Sequence, residues 1–130
     1  MIAFVETEDG LYEVDLDEEE VAGHQEGELE PRPAPPVSLP RVVTAAESGS
    51  TLVAVVDARP PMMVSHDAGR TWRESGRGLP PGRAVAIADD PDLVLYASDD
   101  RLYLSRDGGR FWQPLPLELP GIRAVAFAND

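Results

Sequence analysis

The chain has 130 residues, 42% of them hydrophobic, so we expect 1–130 to form a single domain with its own core. It has no cysteine, which excludes disulfides, thiolate metal sites and a cysteine nucleophile. The formal net charge is −13, and a surface of that charge repels nucleic acid and anionic membranes. The sequence has neither a signal-peptide pattern nor a bilayer-length apolar run, and we therefore predict a soluble, cytoplasmic protein.

The acidic excess has an unusual composition. Asp and Glu total 24, and all 11 basic residues are Arg, because Lys is absent. In this respect the chain resembles proteins of salt-loving archaea, whose cytoplasm screens charge repulsion to within about 3 Å at 1 M salt. The alternative is that a GC-rich genome favours Arg over Lys and that the acidic surface serves solubility alone.

The first predicted elements are two strands within Phe4–Asp15, "FVETEDGLYEVD". The segment 17–40 follows; it begins acidic, ends rich in proline and has no aromatic residue, so we predict a hydrated, mobile loop. A loop that docks a partner is the functional alternative. Two more strands are predicted from Arg41, "RVVTAAE", and from Thr51, "TLVAVVDA".

The string "SHDAGRTW" then runs from Ser65 to Trp72, and "SRDGGRFW" repeats it from Ser105 to Trp112. Leu-Pro pairs that begin at 39, 79 and 119 recur at the same interval. Internal similarity at such a period predicts a repeat architecture. A full repeat is predicted to hold four short strands, near Ala84–Ala88, Leu93–Ala97, Arg101–Ser105 and Phe111–Gln113.

The repeated string has the chemistry of a tight turn. Its Asp can accept hydrogen bonds from backbone N–H groups that follow it, its Ser can close the other side, and its Gly can adopt positive φ. Its Trp can bring a large apolar surface back onto the sheet. None of these positions pairs a nucleophile with a base. The predicted structural residues are Ser65, Asp67, Gly69 and Trp72, with Ser105, Asp107, Gly109 and Trp112.

Both strings resemble the Asp box, the S-x-D-x-G-x-T-W repeat of bacterial neuraminidases that also occurs in sortilin-type receptors and photosystem assembly factors. The second string departs from it only at Phe111, which stands in place of Thr. The resemblance implies an all-β fold of propeller blades, with the box at the turn between the third and fourth strands and away from any active site. In the first repeat "EVDLDEEEVAG" lacks the turn Gly and has Val21 at the Trp position, so we expect no regular box there.

The two ends of the chain complement each other in this scheme. Phe4–Asp15 aligns with Leu95–Arg106, so the first repeat lacks its first strand, while Arg123–Asn129 supplies a first strand without the rest of its repeat. About three four-stranded blades are too few for a closed propeller, which has 4–8 blades. We therefore predict half of a six-bladed propeller, closed in a homodimer when Ala124–Phe127 pairs with Ile2–Glu6 of a second chain. The alternative is that the sequence is part of a longer propeller.

Candidate binding chemistry is limited to arginines that begin the predicted innermost strands: Arg41, Arg83 and Arg123. Their guanidinium groups suit carboxylates and phosphates, so they are candidates for an anion-binding rim at a central channel. Pairing with neighbouring carboxylates is the simpler expectation. His24 and His66 are too few and too far apart in sequence for a metal site, and the loop carboxylates of Asp89–Asp92 lack a calcium-loop spacing, so no metal or cofactor is predicted.

These observations favour a non-enzymatic scaffold or binding module that assembles with itself and binds another protein or a small anionic ligand. The alternative is a sialidase-like glycoside hydrolase, which the resemblance implies would need an arginine cluster, a Tyr with a carboxylate partner, and an acid/base Asp. The tyrosines, Tyr12, Tyr96 and Tyr103, all fall within strand patterns, where packing is the simpler role. No nucleic-acid or membrane partner is expected.

Overall fold

A computed structural model of the chain describes residues 1–128, which form three four-stranded antiparallel sheets and no helix. Sheet I has the order β12-β1-β2-β3, from strands Ile122–Phe127, Ile2–Thr7, Gly10–Asp15 and Glu20–Gln25. Sheet II has the order β4-β5-β6-β7, from Val42–Ser48, Thr51–Val56, Met62–Ser65 and Arg73–Ser75. Sheet III has the order β8-β9-β10-β11, from Ala84–Ile87, Val94–Ala97, Leu102–Ser105 and Gln113–Pro114.

The all-β prediction and the four-stranded repeat are confirmed. The four strands of sheet III lie at or beside the predicted segments. The burial pattern explains why they form: every residue of β8 and β9 is buried, as expected where both sides of a sheet are covered, and these strands are apolar throughout. By contrast, β1 alternates between buried and half-buried residues.

Sheet III lies between the other two sheets. One apolar core joins it to sheet I through Leu95 and Leu102 on one side and Val5 and Phe127 on the other. A second core joins it to sheet II through residues such as Tyr96 and Val64. Among the described residues, β8 contacts both β4 and β12, whereas the strands of sheets I and II do not touch each other. The spatial order is therefore II, III, I.

The pairing predicted for the chain's ends is present, but within one chain. Strand β12 runs antiparallel to β1, with Ala3 opposite Phe127 and Val5 opposite Val125. The last residue of the predicted strand, Asn129, lies outside the described residues. The edge of β1 is thus already paired, and exchange of β12 with a second chain is not needed to complete sheet I.

The predicted loop 17–40 is wrong in its first part. Strand β3 occupies Glu20–Gln25, and it pairs with β2 in a register that places Tyr12 opposite His24. The residues of β3 are exposed except for one and show no apolar alternation, which is why its pattern did not predict a strand. No strand follows until Val42, and the segment 26–41 connects sheet I to sheet II.

The connections between sheets differ in length. The segment 76–83 joins sheet II to sheet III, and the segment 115–121 joins sheet III to β12 of sheet I. The segment 26–41, which joins sheet I to sheet II, is the longest of the three. When fully extended, a segment of that length reaches about 50 Å. It needs such a reach because sheet III separates the two sheets that it joins.

Candidate functional site

The turn between β6 and β7 is held by the side chains of the first repeated string. Asp67 accepts hydrogen bonds from the Thr71 N–H at 2.9 Å and the Thr71 hydroxyl at 2.6 Å. The Ser65 hydroxyl donates to Asp67 at 2.8 Å and accepts from the Gly69 N–H at 2.8 Å. Gly69 has φ of 89°, a conformation that costs least without a side chain.

These bonds stabilise the ionised form of Asp67. The Thr71 hydroxyl is the largest cause, followed by the Thr71 N–H and the Ser65 hydroxyl, and together they lower the pKa of Asp67 from 3.8 to about 2. Each of these donors favours a carboxylate over a neutral carboxyl group. The turn therefore carries a fixed negative charge at every physiological pH.

The turn between β10 and β11 repeats this geometry with one difference. Asp107 accepts from the Phe111 N–H at 3.0 Å and the Arg110 N–H at 3.1 Å, and the Ser105 hydroxyl donates to it at 2.8 Å. Partial burial raises the pKa of Asp107, but the Phe111 N–H and Ser105 hydroxyl bonds outweigh it and lower the pKa below its usual range. Phe111 has no hydroxyl to donate, and its side chain is 79% exposed.

The tryptophans of the two strings have different surroundings. Trp112 Nε1 donates to the Ser75 hydroxyl of sheet II at 3.2 Å, and the ring packs edge-on against Tyr96. Ser75 also donates to the Gly109 carbonyl, so the turn of sheet III is attached to its neighbour. Trp72 is half-buried and, within residues 1–128, its indole N–H has no protein acceptor. The same turn thus packs against a sheet in one repeat and faces open space in the other.

Sheet I has a turn of another kind at the corresponding place. Asp15 Oδ1 accepts from the Asp17 N–H at 3.0 Å and the Glu18 N–H at 3.1 Å. The positive φ of this turn, 57°, is at Glu19, one position after the place where a box has Gly. Val21 at the Trp position is 41% exposed. The role of Asp15 was not predicted from the sequence, although an Asp followed two residues later by a polar run is typical of an Asx turn.

The three candidate arginines lie at the starts of neighbouring strands. Arg41 immediately precedes β4, Arg83 immediately precedes β8, and Arg123 is the second residue of β12. Arg83 Nε lies 2.6 Å from Asp99 Oδ1, the pairing with a carboxylate that was the simpler expectation. Arg41 has φ of 59° and its carbonyl accepts from the Asp57 N–H, so its backbone belongs to a turn.

The tyrosines have packing and hydrogen-bonding roles. Tyr96 is fully buried, donates to the Pro80 carbonyl at 2.5 Å, and has a pKa raised by burial. Tyr12 stacks on His24 with ring centroids 4.1 Å apart. Tyr103 lies edge-on to Tyr96 and is half-buried, which leaves part of its ring on the surface.

A groove of about 1070 Å³ opens between sheets II and III, beside Tyr103. Four prolines form much of its wall: Pro60, Pro61, Pro80 and Pro81. Both charges are present, from Asp57 and Glu74 and from Arg59 and Arg77. The groove was not predicted from the sequence, because its walls come from segments as distant in the chain as Val43 and Tyr103. The arrangement suits an extended, partly apolar ligand that carries charged groups.

Groups of His, Asp and Glu that are close enough to hold a metal ion are absent from the described residues. His24 Nε2 lies 2.7 Å from the Asp9 carbonyl, and His66 Nδ1 lies 3.4 Å from the Thr51 hydroxyl, so each imidazole is engaged in a separate sheet. Residues 1–128 also contain no helix of the length and apolar character needed to cross a membrane. No family model, no curated protein and no solved structure matches the chain.

Proposed function

We propose that the protein is a non-enzymatic binding module of the Asp-box β-propeller type, in which the three sheets are blades. The observation that carries the proposal is the packing of sheet III between its neighbours, with β8 against β4 on one side and β12 on the other. Strands β4, β8 and β12 would then be the innermost strands around a central axis. The turns at Asp67 and Asp107 join the third and fourth strands of their sheets, where the box lies in that family.

The groove between sheets II and III is the proposed recognition surface. Its volume of about 1070 Å³ is at the upper end of the range of small-ligand sites, so it has room for a small molecule or a short peptide segment. Prolines give it rigid walls, since their φ is fixed, so little conformational entropy is lost on binding. The opposite charges of Asp57 and Arg77, which both line the groove, would orient the ligand.

The anion-binding alternative draws support from the arginines at the starts of β4, β8 and β12. Its weakness is the ion pair of Arg83 with Asp99, because a carboxylate of the protein itself already occupies the Nε side of that guanidinium group. The sialidase-like alternative has less support still. Tyr96 is buried and donates to a backbone carbonyl rather than to a carboxylate, so it is not placed as an activated nucleophile.

Affinity capture from the native host, at molar KCl, tests the binding module. We expect molecules retained by the wild type to be lost from Arg77→Glu and Asp57→Arg, which reverse charges in the groove. Arg70→Glu is the matched control, because Arg70 lies on the box turn outside the groove. An identical captured set for all four proteins contradicts the groove. Hydrolysis of a fluorogenic sialoside that is lost in Arg123→Ala supports the enzyme instead.

A further inference from the structure

The sheets at the two ends of the row each have one side that no other sheet covers. In sheet III the front, which includes Val94 and Tyr96, packs on sheet II, and the back, which includes Leu95 and Ala97, packs on sheet I. In the strand pairing, Leu52 is the partner of Ser65 just as Val94 is the partner of Ser105. Leu52 therefore corresponds to Val94, and the front of sheet II includes Leu52 and Ala54.

The same alignment defines the sides of sheet I. Val5 is the strand partner of Tyr12 just as Tyr96 is the strand partner of Tyr103, so Val5 corresponds to Tyr96. The front of sheet I therefore includes Ala3 and Val5, which pack on sheet III. Its back then includes Phe4 and Glu6. Wherever two sheets of this chain meet, the front of one packs on the back of the other. The front of sheet II and the back of sheet I are the two sides left without such a partner.

Both uncovered sides are apolar at their centres. The front of sheet II carries half-buried Met63 and Trp72 over Leu52 and Ala54. The back of sheet I carries half-buried Phe4, Ala124 and Ala126. The start of the 26–41 connection reaches this side at Glu6, whose carboxylate accepts from the Leu29 N–H.

We propose that the front of sheet II docks on the back of sheet I of a second copy of this chain. The inference rests on the proposed propeller, and it names the partner and the residues that close it. Two head-to-tail contacts of this kind join two rows of three sheets into one ring. Six is the only multiple of three among the usual 4–8 blades, so the ring contains two chains.

A recurring pair of positions identifies the contact. At the II–III junction a methyl group on Gly108 would lie 3.3 Å from His66 Cε1. At the III–I junction the equivalent residues Arg106 and Asp17 form an ion pair at 3.3 Å. In each case the residue that follows the box Ser, His66 or Arg106, contacts the turn after the third strand of the adjacent sheet, at Gly108 or Asp17.

The third instance of this pair is not formed within the chain. Its members are Asp15 at the end of β2 and Ala68 in the turn after β6, and Ala68 is exposed. In the proposed contact Asp15 of one chain lies beside Ala68 of the other. Gln25 pairs with Leu11 as Ser75 pairs with Met62, so Gln25 occupies the position of Ser75. In the proposed contact Trp72 approaches Gln25, and the indole N–H of Trp72 gains a side-chain acceptor.

The chain contains no cysteine, so paired cysteines test the contact directly. Full-length Asp15→Cys and Ala68→Cys are mixed at about 2 M KCl and treated with a short bismaleimide. We expect covalent dimers in the mixture on the order of tenfold above either variant alone, because docking raises the effective concentration of the two thiols. Phe111→Cys mixed with Asp15→Cys is the control and gives only the background level.

Light-scattering mass of the wild type completes the test, and we expect the mass of two chains. A two-chain mass without the Asp15→Cys to Ala68→Cys product leaves self-assembly intact but overturns this contact. A single-chain mass overturns both. A single chain that carries both Asp15→Cys and Ala68→Cys provides a further outcome. If the mixture gives no covalent dimer but this double variant forms a crosslink within one chain, β12 is exchanged between chains. Sheet II then docks on sheet I of its own chain, which overturns the inference as stated.

Discussion

The Asp side chains of the two box turns hold backbone N–H groups that have no other protein acceptor in the turn. Asp107 binds the N–H groups of Arg110 and Phe111, and Ser105 supports it from the other side. We expect Asp107→Ala to lower the free energy of unfolding by about 1–3 kcal/mol, toward the lower value because water reaches the freed groups. Asp67→Ala is expected to destabilise as well. Equal melting curves for both variants and the wild type, measured by circular dichroism, contradict the role of the turn.

Phe111→Thr is the matched gain-of-contact variant for the same turn. A threonine there offers the hydroxyl that Thr71 donates to Asp67 in the other turn, at 2.6 Å. We expect it to raise the melting temperature, since it adds a hydrogen bond to a carboxylate and removes an exposed aromatic ring. A lower melting temperature argues that the two turns are not equivalent.

The lowered pKa of Asp67 predicts a specific pH dependence of stability. Its pKa is about 2 in the folded protein against 3.8 for the ordinary group, so on acidification the unfolded chain binds this proton first. The contribution of Asp67 to stability is fully present above pH 3.8 and is lost as the pH falls toward 2. We therefore expect the difference in melting temperature between wild type and Asp67→Asn to be constant above about pH 5 and to shrink between pH 4 and 2. Asp100→Asn, at an exposed loop position, is the control, and a difference that does not shrink contradicts the prediction.

At the scale of elements, β12 completes sheet I. Its Val125 and Phe127 enter the core shared with sheet III, and its backbone pairs along β1. Deleting residues 123–130 removes these two core side chains and leaves the edge of β1 unpaired, and such an edge promotes aggregation. We expect the deleted chain to aggregate or to lose its cooperative melting transition in light scattering and calorimetry.

A shorter deletion serves as the control for β12. Removing only the last two residues leaves the whole of Ile122–Phe127 in place, so we expect the mass and the melting transition of the full chain. If the longer deletion also behaves like the full chain, β12 does not stabilise sheet I.

At the scale of the whole molecule, the net charge of −13 governs the response to salt. Four ion pairs are formed by the described residues, and all involve exposed groups, so most of the 24 carboxylates lack a cationic partner. Their mutual repulsion favours unfolding and is screened by salt. We expect the melting temperature to rise steeply between about 0.1 and 2 M KCl. A flat response contradicts adaptation to a high-salt cytoplasm.

The acidic connection between sheets I and II provides a matched variant. Replacing Glu26, Glu28 and Glu30 by Gln removes three negative charges from a segment outside the strands without altering any sheet. We expect a smaller rise of the melting temperature with KCl than in the wild type. An unchanged slope indicates that the salt response does not come from carboxylate repulsion in this segment.

The sequence by itself determined the features that depend on local chemistry. The strings around Asp67 and Asp107 predicted their turns, since the bonds that the Asp and Ser side chains form within each string join residues at most four positions apart. Short apolar runs bounded by Gly, Pro and Asp predicted the strands of sheet III. Strand β3 escaped prediction because its exposed residues have no apolar pattern, and only pairing with β2 makes it a strand.

Only the tertiary structure decided which distant segments meet. The complementary ends of the chain predicted that Ala124–Phe127 pairs with Ile2–Glu6. The sequence does not distinguish pairing within one chain from pairing between two chains, because the residues are identical in both cases. In the structure β12 pairs with β1 of its own chain. Packing likewise placed sheet III in the middle, paired Arg83 with Asp99, and formed the groove beside Tyr103. The physical reason is that such contacts depend on the summed burial of apolar side chains from several strands, which no single stretch of sequence encodes.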